Sequence, residues 1–296
     1  MFRKSRNNFP YYEINWYFCR VIKTLVFIAF ILALWSCGTS SGNDDGGEAA
    51  ASPGDSVVTV AVMPTLDCLP LFVASETGMF AARDCDVRLE MFAAQMDCDT
   101  ALVRGHVDGI VTDTVRIGQL KRQYDVDAQA VVATRAYWLL VANRKSRVSK
   151  TSQLADKMIA MTRYSATDLL TTAVLRHGST VTRAFRIQVN DVGVRLSMLL
   201  GGVVDAAWLS EPLATMAVAQ GHNVIADSRN IAPDVGVIAF RSDALETPSK
   251  RRYIDMVEQC YRQASDSIAS HGVGYYSDIM SKYCGVTAET VDSLRI

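Results

Sequence analysis

Residues 57–118 switch repeatedly between two hydrophobic periods. A Val-rich strand (Val57–Val62) gives way to a loop and a helix, then a Gly78-Met79-Phe80 turn and a strand at Val87–Met91. A second helix, a Gly105-His106-Val107-Asp108-Gly109 turn and a third strand (Gly109–Thr112) follow. Successive strands separated by helices pair in parallel and need helices on their faces, so this block demands an α/β fold. The alternation predicts further strands at Ala130–Thr134, Trp138–Ala142, Met158–Met161, Phe185–Val189, Ala206–Leu209, Val224–Ala226 and Val235–Phe240. Helices are expected at Leu169–Arg176, Arg195–Leu200 and Leu213–Ala219, with Asp191 as the N-cap of the second and Gly201-Gly202 as its terminator. From Pro248 onward Tyr253, Met256, Val257, Cys260 and Tyr261 recur at helical spacing. A chain of 296 residues that is 49% hydrophobic has enough apolar mass for one large domain or two lobes with buried cores.

The N-terminus is of another kind. Basic residues end at Lys23, and Leu25–Trp35 is an unbroken apolar run that closes on Ser36-Cys37. Eleven helical residues span only ~17 Å against ~30 Å of bilayer hydrocarbon, so the run reads as a signal-peptide core and not a membrane span. Leu34-Trp35-Ser36-Cys37 resembles a lipoprotein processing box, which makes Cys37 the expected lipidation site and residues 1–36 a lipoprotein signal peptide. Residues 37–56 are rich in Gly, Ser and Asp and lack apolar periodicity, as expected of a disordered tether. Such a tether reaches about 25 Å, enough for the body to reorient beside a membrane. Several acyl chains hold durably where one holds marginally.

Charge and cysteine usage narrow the chemistry. The formal net charge is −1, and the first 36 residues carry five basic side chains against Glu13, so the body is acidic and has no general attraction to nucleic acid. Beyond Cys37, five cysteines remain: Cys68, Cys85, Cys98, Cys260 and Cys284. Pairs Cys260–Cys284 and Cys68–Cys98 are conceivable in an oxidising compartment, but for each the favoured reading is a small buried apolar residue. There is no C-x-x-C spacing, and the four histidines are scattered, so neither a redox motif nor a metal centre is expected.

The block at 57–118, with Thr112-Asp113-Thr114 closing its third strand, resembles the opening lobe of solute-binding proteins of ABC importers, in the sulfonate, nitrate and thiamine-precursor group. Met161-Thr162-Arg163-Tyr164-Ser165 leading into a helix, and the run from Gly201 to Pro212 (GGVVDAAWLSEP), extend the likeness over most of residues 57–270. The resemblance implies a type II periplasmic-binding-protein fold: two lobes, each a mostly parallel sheet flanked by helices. Lobe 1 would comprise residues 57–135 and 229–296, and lobe 2 residues 136–228, with Ala130–Asn143 and Asp234–Arg241 as the hinge-crossing strands. It further implies a monomeric, membrane-anchored lipoprotein of the cell envelope, periplasmic or outer-surface, that captures a small molecule by lobe closure and hands it to an ABC permease with its ATPase.

Ligands of doubly wound lobes bind beyond the carboxyl ends of strands, where helix N-termini present free N–H groups. That geometry nominates Thr65, Leu66, Asp67, Met96, Asp97, Thr112, Asp113 and Thr114 from lobe 1, and Tyr164, Ser165, Thr167 and Trp208 from lobe 2, with Glu211 behind. Tyr137 and Trp138 sit at the hinge, where alternation would turn one of them to the cleft. Asp67, Asp97, Asp99 and Asp113 make the rim acidic, and carboxylates only accept hydrogen bonds. An amine, an aminopyrimidine or a related heterocycle is therefore expected over an oxyanion, although helix N-caps and turns use the same carboxylates. Some thiamine-pyrimidine synthases and menaquinone-pathway enzymes share this architecture, yet no cysteine cluster or histidine falls in the nominated loops, so no catalysis and no cofactor are expected. A lipoprotein sensor or macromolecule-binding protein is the other alternative.

Overall fold

A computed structural model describes residues 57–294 apart from 178, 179 and 233. Cys37, the signal peptide and the tether lie outside the described residues. Among the described residues the chain builds two five-stranded sheets and a two-residue hairpin. The first sheet uses β1 (Val57–Val62), β2 (Asp86–Met91), β3 (Gly109–Asp113), β4 (Ala128–Ala133) and β12 (Gly236–Arg241), in the order β2-β1-β3-β12-β4. The second uses β5 (Leu139–Ala142), β6 (Met158–Met161), β9 (Phe185–Gln188), β10 (Ala206–Leu209) and β11 (Asn223–Asp227), in the order β11-β5-β10-β6-β9. The hairpin, β7 (Arg176–His177) with β8 (Thr180–Val181), has no counterpart in the sequence reading.

The direction of the strands follows from two crossings. β4 leaves the first sheet and the chain enters the second as β5; β11 leaves the second and the chain returns as β12. Accordingly β5 and β12 each run antiparallel to both neighbours, while β1 to β3 and β6, β9 and β10 pair in parallel. Every other strand thus points its carboxyl end at the junction between the sheets. The crossings touch: Trp138 and Ser228 exchange hydrogen bonds (2.9 and 3.0 Å), and Thr134 N–H donates to the Gly236 carbonyl. Gly236 has no room for a side chain, because a Cβ there would collide with Thr134 and Ala136 of the other crossing.

Helices cover both faces of each sheet. On one face of the first sheet Val58, Val60 and Val62 pack under α1 (Leu69–Glu76) and the long α8 (Pro248–His271). Ala61 and Ile110 take the opposite face, against Cys98 and Leu102 of α2 (Gln95–Val103) and Leu120 of α3 (Thr114–Tyr124). In the second sheet Leu139, Val141 and Leu209 meet α5 (Val192–Leu200) and α6 (Leu213–Ala219). Leu140, Ala142 and Trp208 meet α4 (Ala166–Leu175). α8 is followed by α9 (Ser277–Cys284) and α10 (Ala288–Asp292), after the short α7 (Ser242–Glu246) that precedes it. Asp191 caps α5 by accepting from Val194 N–H. The five described cysteines are free, four of them buried, and burial pushes the Cys98 and Cys284 thiols up to about 12. Thiols of that kind are unreactive packing groups at neutral pH. No helix among the described residues is long and apolar enough to cross a membrane.

Candidate functional site

The carboxyl ends of β3, β6, β9 and β10 converge on a cavity of about 50 Å³ between the two sheets. The sheets are closed over it. Leu66 N–H donates to the Glu211 carbonyl (3.0 Å), Val192 N–H to the Ala93 carbonyl (3.3 Å) and Arg116 Nη1 to the Arg163 carbonyl (3.1 Å), and Ala94 bridges Asp191. Asp113, the N-cap of α3, accepts from Arg116 N–H (2.9 Å) and also from Ala166 N–H at the start of α4. One carboxylate thereby serves helix N-termini from both lobes. Its desolvation nevertheless raises the carboxyl to about 6.

The lobe 2 wall is a tight hydroxyl network. Ser165 Oγ donates to the Thr162 carbonyl (2.7 Å) and accepts from Thr167 N–H (3.1 Å), while Thr167 Oγ1 accepts from Thr162 N–H (3.0 Å). Behind it sits Arg195, in the first turn of α5 and 3% exposed. Its Nε donates to the Val189 carbonyl (3.0 Å), Nη1 to the Trp208 carbonyl (2.9 Å), and Nη2 to Thr162 Oγ1 and Val189 O (both 2.6 Å). All of these acceptors are neutral and stand where β6, β9 and β10 end. A guanidinium has five N–H groups, so one remains for a solute. Burial, only partly offset by the distant charge of Asp191, holds Arg195 down at about 10, still protonated at neutral pH.

Seven nominated residues line the cavity: Thr65, Asp67, Thr112, Asp113, Tyr137, Ser165 and Thr167. Both Tyr137 and Trp138 line it, because residues 134–138 are not strand and do not alternate. The other nominees stand elsewhere. Trp208 is fully buried under α4, its indole N–H on Thr171 Oγ1 (3.0 Å), and reaches the site only through its carbonyl to Arg195. Tyr164 is 53% exposed, Thr114 and Asp97 are exposed, and none of the three borders the cleft. Met96 is also absent from the cavity wall; its sulfur accepts from Arg116 Nη2. Leu66 and Glu211 make the cross-lobe bond, and the Glu211 carboxylate accepts from Thr215 N–H at the start of α6.

The acidic rim is therefore thinner than the sequence implies. Asp99 is buried against Arg116 in an ion pair and takes a hydrogen bond from Gln95, which also donates to Thr112. Asp97 faces solvent, and Asp113 is occupied by N–H donors. Asp67, whose carboxyl desolvation raises and a Thr65 hydrogen bond partly restores, and Asp113 are the carboxylates that border the cleft, and neither has a salt-bridge partner among the described residues. The polar cavity-lining residues that sequence reasoning passes over are Gln95, Thr162, Asn190, Ser210 and above all Arg195. A lone arginine in an amphipathic helix reads as a solvated face, and only the convergence of three strand ends on it distinguishes this one.

Two α/β lobes, two crossings and a polar cleft at the strand ends define the periplasmic-binding-protein architecture. The NMT1-like family model matches residues 51–264, and the chain belongs to that family. Among solved structures, the aliphatic sulphonate binding protein SsuA of Escherichia coli is similar at 16% identity over 82% of each chain, with a TM-score of 0.67. The nitrate-binding protein NrtA of Synechocystis shares 16% identity over 80% of this chain and 69% of its own (TM-score 0.69). A Candida albicans gene product with the generic periplasmic binding protein fold shares 19% identity over 80% of this chain and 79% of its own (TM-score 0.62). No curated protein sequence matches. The family and the two-lobe fold expected from the motifs are thus borne out.

Proposed function

We propose that the chain is the solute-binding component of an ABC importer, anchored to the cell envelope through lipidated Cys37, which captures a small polar solute between its lobes and releases it unaltered to a permease. The observation that carries this reading is the cavity between the sheets, lined by polar side chains from both lobes and bordered by hydrogen bonds from one lobe to the other. A cavity of about 50 Å³ admits a solute on the order of four water-sized groups. Arg195 offers an N–H donor from lobe 2 and Asp67 an acceptor from lobe 1, which fits a solute with an oxygen acceptor at one end and a nitrogen donor at the other. The similarity in fold to sulfonate- and nitrate-binding proteins supports capture by closure. The division into residues 57–135 plus 229–296 and 136–228 is the corresponding proposal for the two moving bodies.

Mass spectrometry of small molecules retained after gentle purification tests the reading, followed by a thermal-shift panel. Stabilisation by small amines or pyrimidines that also carry an acceptor is the expected result. Stabilisation by sulfonates or nitrate alone would overturn the solute class, and no retained or stabilising small molecule would overturn capture itself. Cys37→Ser should move the protein from the membrane to the soluble fraction; an unchanged distribution would refute the anchor.

A further inference from the structure

Beside the hinge lies a second cavity, of about 240 Å³, larger than the cleft and sharing Asp67 and Tyr137 with it. Leu69, Ile268, Val273 and the ring of Tyr261 form apolar walls, Arg135 stands exposed on its border, and Asp67 lines it as well as the cleft. Burial, and after it the charge of Asp67, suppresses ionisation of Tyr261 and of Cys284, and Asp67 shares the wall of this second cavity with Tyr261. The Tyr261 hydroxyl donates to the Asp67 carbonyl (3.0 Å), so this carboxylate is held between the hinge and the C-terminal helices by its own backbone. No basic group pairs with it among the described residues, although a desolvated carboxylate is costly to leave uncompensated.

We infer that this hinge-side cavity is a second binding site, for an organic cation with a single-ring or short-chain apolar body whose ammonium pairs with Asp67. The size fits: an apolar cavity of about 150 Å³ admits benzene, so this one admits a ring with a short chain. The chemistry fits as well, because apolar walls with one carboxylate that accepts hydrogen bonds but has no ion-pair partner, Arg135 being turned out to solvent at the border, favour a cation that buries its hydrocarbon over an anion of the same shape. Because Asp67 borders both cavities, a cation beside the hinge competes with a cationic group in the cleft, and by linkage each weakens the other equally.

Titration calorimetry of the full chain with 2-phenylethylamine and with 3-phenylpropionate at pH 7 tests this. The amine is expected to bind saturably and at least tenfold more tightly than the acid. Ala269→Trp, on the cavity wall at an exposed position of α8 and outside the cleft, should weaken the amine at least tenfold while leaving capture of the cleft solute unchanged. Asp67→Asn should abolish the preference for amine over acid. Equal or tighter binding of the acid, no saturable amine binding, or an amine affinity unchanged by Ala269→Trp would each overturn the site. Should Asp67→Asn fail to fold, the amine–acid comparison and Ala269→Trp still decide it. Failure here leaves solute capture in the cleft untouched, since that is read from retained solute and not from these probes.

Discussion

Arg116 and Arg195 are equally buried, each 3% exposed, and each stands in the first turn of a helix that begins beside the cleft. They differ in what balances their charge. Arg116 is paired with Asp99 and spends Nη1 on the Arg163 carbonyl of the opposite lobe, so it acts as a latch whose charge is already met. Arg195 is surrounded by neutral oxygens of its own lobe and borders the cavity. A buried charge that the fold itself compensates stabilises a state of the protein; one that the fold solvates without neutralising remains available to a guest. Lobe 1 thus contributes the closing contact, and lobe 2 the group proposed to meet the solute.

Breaking the compensated pair should have the largest effect. Arg116→Leu strands the Asp99 carboxylate and is expected to cost about 3–5 kcal/mol in urea denaturation, whereas adding Asp99→Leu should recover most of it. A single variant as stable as wild type would mean that the pair carries no charge. Asp113, which caps the helix of Arg116, should give the next effect. Its folded-state carboxyl titrates near 6 and its ordinary value is 3.8, so the folded chain binds the proton more tightly. Stability should therefore rise as pH falls from about 6 towards 4, by up to about 3 kcal/mol from this group, and thermal melts of Asp113→Asn should lack that rise. Arg195→Leu should destabilise less than Arg116→Leu, since no opposite charge is stranded, yet weaken the retained solute roughly tenfold to a hundredfold by calorimetry. Equal solute affinity in Arg195→Leu and wild type would erase the distinction between the two arginines. The smallest effect is expected of Trp208→Phe: about 1 kcal/mol of stability for the lost bond to Thr171, with solute affinity unchanged.

The contrast also explains what a single sequence discloses. β1, β6 and β10 end at the residues that the pattern predicts, because VVTVAV, MIAM and AAWL are bounded by turn-forming or polar residues. The same clarity misplaces Trp208. β10 is buried on both faces, so alternation separates Trp208 from Ala207 and Leu209 without saying which face meets solute. Asp99 reads as a free carboxylate because its partner lies 17 positions further on in another helix, joined to it only by packing around β3. Thr65, Thr112, Ser165 and Thr167 are legible because strand ends and helix starts mark them locally. Arg195 is not, since its neighbours Thr162, Val189 and Trp208 come from three separate strands.

Small-angle scattering on one preparation tests capture by closure most directly: the chain stripped of solute by unfolding and refolding, then saturated with the solute recovered from it. Closure predicts a smaller radius of gyration in the saturated chain, with scattering that matches the cross-lobe contacts of Leu66, Val192 and Arg116. Superimposable curves from the two states would contradict it.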